Sequence, residues 1–187
     1  TSFFPAKPLG CYGDGGALFT DSAETASLFD SIRKHGKGTQ KYEIVRTGVN
    51  GRLDTLQAAI LLEKLRIFPG ELGARESLAC FYDAQLDGKV TLPPRVSGMR
   101  SAWAQYTICV DRRDEVAARL KAEGVPTAVY YPRPLHLQPA YSRFGAGAGS
   151  LPVSERLCRT VLSLPMHPYM EKETPETICR AVRQALS

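Results

Sequence analysis

The stretch SFFPAKPLGCYGDGGALFT, residues 2–20, decides how this chain is read. Pro5, Pro8, Gly10, Gly13, Gly15 and Gly16 crowd into it, so it cannot be a helix interior. It ends in Ala17-Leu18-Phe19-Thr20, a short apolar burst with strand character. Ser2 places a hydroxyl five residues before Lys7, and aromatic residues and prolines flank the lysine. An apolar loop desolvates a lysine, which favours the free amine, the form that attacks a carbonyl carbon. Ser2 and neighbouring backbone N–H groups could meet a phosphate. A Schiff-base lysine beside a phosphate cradle meets the needs of pyridoxal phosphate. A solvated surface lysine satisfies the same residues. Neither G-x-x-x-x-G-K-[ST] nor G-x-G-x-x-G occurs here, which removes the common nucleotide-loop readings.

Outward from this stretch, Asp21 or Ser22 with Glu24 behind it caps a helix predicted from Ala23 to about His35. Ala26, Phe29 and Ile32 would face inward, and Arg33, Lys34 and His35 precede a stop at Gly36. Residues 36–52 read as a long glycine-rich loop with room for a short strand at Tyr42–Val45. Loops of that length are often functional. A helix is expected from Leu53 to about Phe68, with Leu56, Ala59, Ile60, Leu62 and Leu65 on a broad buried face. Pro69-Gly70 should break it, and a second helix should run from about Glu71 to Leu86.

The second half changes character. Trp103–Val110 and Thr127–Tyr131 read as strands, Arg112–Glu123, Val153–Ser163 and Thr174–Leu186 as helices, the last with a Thr174-Pro175-Glu176 start. This order suits a small α+β domain. The first residues do not make a domain, because a lone strand leaves its edges unsatisfied. The chain therefore reads as starting inside a larger α/β domain, with residues 1–68 its last part and bridging helix, and residues 69–187 a small α+β domain.

At 187 residues and 20.5 kDa the chain has near-average hydrophobic (43%) and charged (23%) content, which excludes a disordered, collagenous or coiled-coil protein. A net charge of +5 suits anionic small molecules, and the basic residues are too spread for a nucleic-acid strip. A non-catalytic interaction or nucleic-acid-binding module is the reading from a different class. No apolar run approaches a membrane span, and TSFFPAKPLG lacks a signal-peptide layout, so a cytoplasmic location is expected. Five scattered cysteines and three scattered histidines predict reduced thiols and no metal site.

Residues 2–20 resemble the lysine segment of the DegT/DnrJ/StrS family of nucleotide-sugar aminotransferases, pyridoxal-phosphate enzymes of fold type I, the aspartate-aminotransferase-like fold. Gly48-Val-Asn-Gly-Arg-Leu-Asp-Thr-Leu-Gln-Ala-Ala59, Pro126-Thr-Ala-Val-Tyr-Tyr-Pro-Arg-Pro-Leu135 and Leu164-Pro-Met-His-Pro-Tyr169 resemble further blocks of that family, in family order. The resemblance implies that Lys7 bonds the cofactor and shuttles protons, and that Ser2 binds its phosphate. It implies that Asn50 reaches the cofactor phosphate of a neighbouring subunit in a homodimer, and that Arg52 contacts substrate across that interface. Tyr130, Tyr131 and His167 would line the substrate side of the small domain.

The activity implied is transfer of the amino group of L-glutamate to a keto sugar nucleotide for cell-surface polysaccharide such as lipopolysaccharide O-antigen. The substrate suggested is a UDP-3-keto-N-acetylhexosaminuronic acid, with C4 amination of a 4-keto-6-deoxy sugar nucleotide as the alternative. Family residues that lie upstream of the lysine have no counterpart here. The chain is thus expected to be the C-terminal half of such an enzyme, inactive alone, with no bound pyridoxal phosphate and with Ser2 at a frayed end.

Overall fold

A computed structural model describes residues 1–187, and the chain divides into two units, Thr1–Pro69 and Gly70–Ser187. Two helices, α1 (Ala23–Arg33) and α2 (Thr55–Leu86), dominate the first part of the chain. The break expected at Pro69-Gly70 does not occur, because α2 runs on with Pro69 inside it. An internal proline removes one hydrogen bond and crowds the carbonyl four residues back, at a cost of about 3 kcal/mol. Burial on both sides offsets that cost. Leu61 is buried before the proline, and Leu78, Ala79, Tyr82 and Leu86 after it.

The first unit has no strand. Residues 17–20 stay outside any sheet, with Leu18 and Phe19 73% and 81% exposed. Residues 1–3 lie alongside 15–17, joined by a single antiparallel bridge between Ser2 and Gly16. Phe3 donates to the Gly15 carbonyl at 2.8 Å, and the Thr1 backbone nitrogen to the Ala17 carbonyl at 2.7 Å. Ser2 is therefore paired in place, against the expectation of a frayed end.

Ser22 caps α1 by accepting the Thr25 N–H at 3.2 Å. The inward face expected of α1 is thin. Ala26 is exposed, Phe29 and Ile32 are half-buried, and Ser31 is its one buried residue. The 36–52 segment is tied down by its backbone. Val49 donates to Ile32, Gly51 to Arg33, and His35 to Val49, all near 2.9 Å. Tyr42–Val45 makes one bridge, Lys37 with Ile44, in place of a strand.

The second unit holds β1 (Tyr106–Cys109), α3 (Arg113–Ala122), α4 (Pro152–Thr160), β2 (Val161–Leu164) and α5 (Thr174–Leu186), with 3₁₀ turns at Leu135–Leu137 and Pro139–Phe144. The two strands pair antiparallel, Tyr106 opposite Leu164 and Cys109 opposite Val161. The helix expected through Ser163 stops at Thr160, and Val161–Leu164 becomes β2. Its alternation explains the change. Leu162 and Leu164 enter the core, and the Ser163 hydroxyl meets that of Thr107 across the pair at 2.8 Å. The strand expected at Thr127–Tyr131 shrinks to one bridge, Ala128 with Ser163. Tyr82 and Leu86 of α2, Tyr106 and Ile108, Leu120, Leu162 and Val182 are fully buried together.

Candidate active site

Lys7 sits on a turn in which its N–H donates to the Phe4 carbonyl at 2.8 Å. Gly10 closes that turn from behind. A Cβ there would lie 2.6 Å from the Pro5 carbonyl oxygen and 2.8 Å from that of Phe4, so only glycine fits. Cys11 is buried at the loop centre, its Sγ 3.0 Å from the carbonyls of Phe3 and Gly13. Lys7 itself is exposed, as are Phe4, Pro5 and Ala6. The flanking apolar residues of this loop do not cover it. Its Nζ has no hydrogen bond or ion pair within the chain. Ser2 accepts the Phe4 N–H at 3.2 Å, which leaves its own O–H to donate elsewhere.

Asn50 and Arg52 are brought together. The Arg52 Nε donates to Asn50 Oδ1 at 3.0 Å, and both side chains are exposed. The backbone bridge between Asn50 and Lys34 fixes this pair to the end of α1. The Arg52 Nη groups and the Asn50 amide nitrogen stay free. An unpartnered amine, a free hydroxyl proton and amide and guanidinium donors fit the chemistry of a carbonyl-bearing phosphate ester such as pyridoxal phosphate.

In the second unit the Tyr130 and Tyr131 rings stand edge to face with centroids 5.6 Å apart. They leave the Ala128–Ser163 bridge in one direction, and His167 lies beyond β2 in the other. His167 makes no hydrogen bond to either tyrosine. Its segment is held by α2. The Arg75 Nη1 donates to the Met166 carbonyl at 3.2 Å and to the Trp103 carbonyl at 3.0 Å. Tyr82 donates to the Pro165 carbonyl at 2.9 Å, and Tyr169 to Glu71. Burial pulls the Arg75 guanidinium below its usual range, against the opposing pull of Glu71.

Two contacts escape the sequence reading. Gln57 accepts the Tyr12 N–H at 2.7 Å, and Lys64 donates to the Gly10 carbonyl at 2.6 Å. Gln57 and Lys64 are seven apart, so they share one helix face. That spacing was the available signal, hidden within a helix read for its apolar stripe. No cluster of three or more His, Cys, Asp and Glu side chains suits a metal ion, and no helix is long and apolar enough to cross a membrane. All five cysteines are free.

The chain mixes helices with a short strand pair and carries an exposed, unpartnered lysine on a turn closed by glycine. The profile of the DegT/DnrJ/EryC1/StrS aminotransferase family matches residues 1–183, and the chain belongs to that family. It is 49% identical over 183 residues to the UDP-2-acetamido-2-deoxy-3-oxo-D-glucuronate aminotransferase of Pseudomonas aeruginosa, covering 97% of this chain and 50% of that protein. A DegT/DnrJ/EryC1/StrS aminotransferase from Brucella abortus superposes with a TM-score of 0.94 at 52% identity, covering 98% of this chain and 49% of that one. NtdA from Bacillus subtilis, whose crystal structure holds the cofactor PMP, superposes at 0.89 with 29% identity, covering 99% of this chain and 45% of that one. The chain spans about half the length of the curated relatives it matches.

Proposed function

We propose that the complete protein is a pyridoxal-phosphate aminotransferase that moves the amino group of L-glutamate to a UDP-3-keto-N-acetylhexosaminuronic acid. One observation carries this reading: an unpartnered Lys7 amine on a turn that only glycine can close, in a chain half-identical to a 3-oxo-glucuronate aminotransferase. Bound pyridoxal phosphate supplies an electron sink at the substrate carbon. Lys7 holds the cofactor and moves a proton at that carbon. Ser2, whose oxygen already accepts the Phe4 N–H, would donate its O–H to the phosphate.

Arg52 has both Nη groups free to fork onto a carboxylate, which glutamate and a uronic acid both carry. A 6-deoxy sugar has none. We assign Asn50 and Arg52 to the site of the partner subunit in a homodimer, and Tyr130, Tyr131 and His167 to the sugar side of the second unit.

The test is borohydride reduction of the protein with pyridoxal phosphate, followed by peptide mapping. A phosphopyridoxyl label on Lys7, absent in Lys7→Ala along with turnover, is expected; a label elsewhere with Lys7→Ala still active refutes the assignment. Offering the 3-keto uronic acid and a 4-keto-6-deoxy sugar nucleotide in parallel decides the acceptor. Mixing inactive Lys7→Ala and Arg52→Ala subunits should restore part of the activity, because one intact shared site is rebuilt. A mixture that stays inactive despite subunit exchange removes the shared site.

A further inference from the structure

We infer that Gln57 and Lys64 are positioning residues for Lys7, acting through the backbone of residues 10–13. The inference rests on Lys7 being the attachment point proposed above. Both side chains reach from one face of α2 to the lysine loop. Lys64 donates to the Gly10 carbonyl at 2.6 Å and stands over the Tyr12 ring, 4.7 Å from its centroid. Gln57 accepts the Tyr12 N–H at 2.7 Å and lies under Gly13, where a Cβ would come within 3.5 Å of its Nε2. Farther along the loop, a Cβ at Gly15 would be 3.1 Å from Leu53 Cδ1. Gly15 thus lets the loop come close to Leu53, just ahead of α2, and the two polar side chains tie the loop to the helix itself.

The path to Lys7 is short. Gly10 is buried and backs directly onto the carbonyls of Phe4 and Pro5. The Phe4 carbonyl is the acceptor that holds the Lys7 N–H. A shift of Gly10 away from the helix would therefore loosen the turn that aims Lys7. Half-burying a lysine costs hydration and rotamer freedom, and an apolar residue at 64 would cover the same surface without that cost. What the ammonium adds is a directional bond to one carbonyl and a cation over one ring.

The experiment compares Lys64→Met, Lys64→Arg and Gln57→Met with wild type in the complete protein, using pyridoxal phosphate as probe. Wild type must first take the borohydride label on Lys7; a label elsewhere overturns the Lys7 reading and the inference with it. Given that label, Lys64→Met should take up cofactor at Lys7 about tenfold more slowly and shift the visible band of the bound cofactor. It should lower kcat with KM for glutamate unchanged, and speed amide exchange at residues 10–13 in cofactor-free protein. Lys64→Arg keeps charge and donor and should recover most of each effect. Gln57→Met should move the same readouts in the same direction, and it carries the test if Lys64→Met does not fold. The inference is overturned if the folded Met variants load Lys7, absorb and turn over as wild type does. It is overturned equally if Lys64→Arg is as impaired as Lys64→Met.

Discussion

In residues 70–187, Tyr82, Tyr106, Ile108, Leu120, Leu162 and Val182 pack with no exposed surface, and two strands and three helices close around them. In residues 1–69 the only buried hydrophobic side chains are Cys11 and Leu61. Order in that first unit comes from elsewhere. Backbone hydrogen bonds link residues 1–3 to 15–17 and residues 49–51 to the end of α1. Glycines sit where no side chain fits: a Cβ on Gly36 would be 1.7 Å from the Arg46 carbonyl oxygen, and one on Gly48 2.1 Å from the Gly36 nitrogen. One region takes its shape from apolar burial, the other from close backbone approach. The second kind of construction leaves polar side chains outward, and Ser2, Lys7, Asn50 and Arg52 are all exposed on it.

The largest test of this contrast is Tyr82→Ala. Removing a fully buried ring should destabilise the second unit by about 4 kcal/mol, read by urea unfolding. Tyr82→Phe keeps the ring and loses the hydroxyl's bond to the Pro165 carbonyl, with its longer contact to Met170 Sδ at 3.9 Å, so about 1 kcal/mol is expected. Equal losses in the two variants would mean that the hydroxyl, and not burial, carries the site.

Gly36→Ala should act locally on the first unit. Gly36 has φ +76°, and the added methyl would collide with Arg46, so about 2 kcal/mol of strain is expected. Faster amide exchange across residues 36–51 should report it, with urea unfolding of the second unit unchanged. A change confined to the second unit would break the comparison.

Acid sharpens it further. The Trp103 indole N–H, bonded at 2.6 Å, and then Arg95 hold the Glu76 carboxyl below its usual range. A carboxyl lowered in the folded state stabilises above its unfolded value, near 4.3, and loses that contribution as pH falls through the folded value. Melting temperature should therefore drop as pH falls from about 5 to 3, and Glu76→Gln should flatten part of that drop. An identical pH profile in Glu76→Gln would remove Glu76 from the balance.

The smallest effect is expected for Leu62→Ala, on a residue of α2 that is 63% exposed. Stability should change by less than about 0.5 kcal/mol. A loss above about 1.5 kcal/mol would show that this face is covered in solution, and the contrast between the units would narrow.

Local chemistry made much of this protein readable in advance. The Ser22 cap, the helices near 113–122 and 174–186, and the glycine-dense lysine turn follow from caps, periodicity and steric exclusion. The candidate residues Ser2, Lys7, Asn50 and Arg52 stood out because their motifs are contiguous. Tyr130, Tyr131 and His167 were likewise visible as motif members, but not that the tyrosines and the histidine leave one bridge in opposite directions.

Sequence by itself determined where the chain must turn and which residues bring reactive groups, since those depend on neighbours a few positions away. Only the tertiary structure decided that α2 continues through Pro69, that Val161–Leu164 is a strand, and that Ala17–Thr20 is not. It also decided that Lys7 is uncovered and that Gln57 and Lys64 reach across 45 and 54 residues to hold its loop. Propensities differ by about 1 kcal/mol or less for most residues, and pairing with a distant strand or burying a helix face outweighs them. Those partners lie far away in the sequence, so a local pattern marks a face or an alternation without naming what it meets.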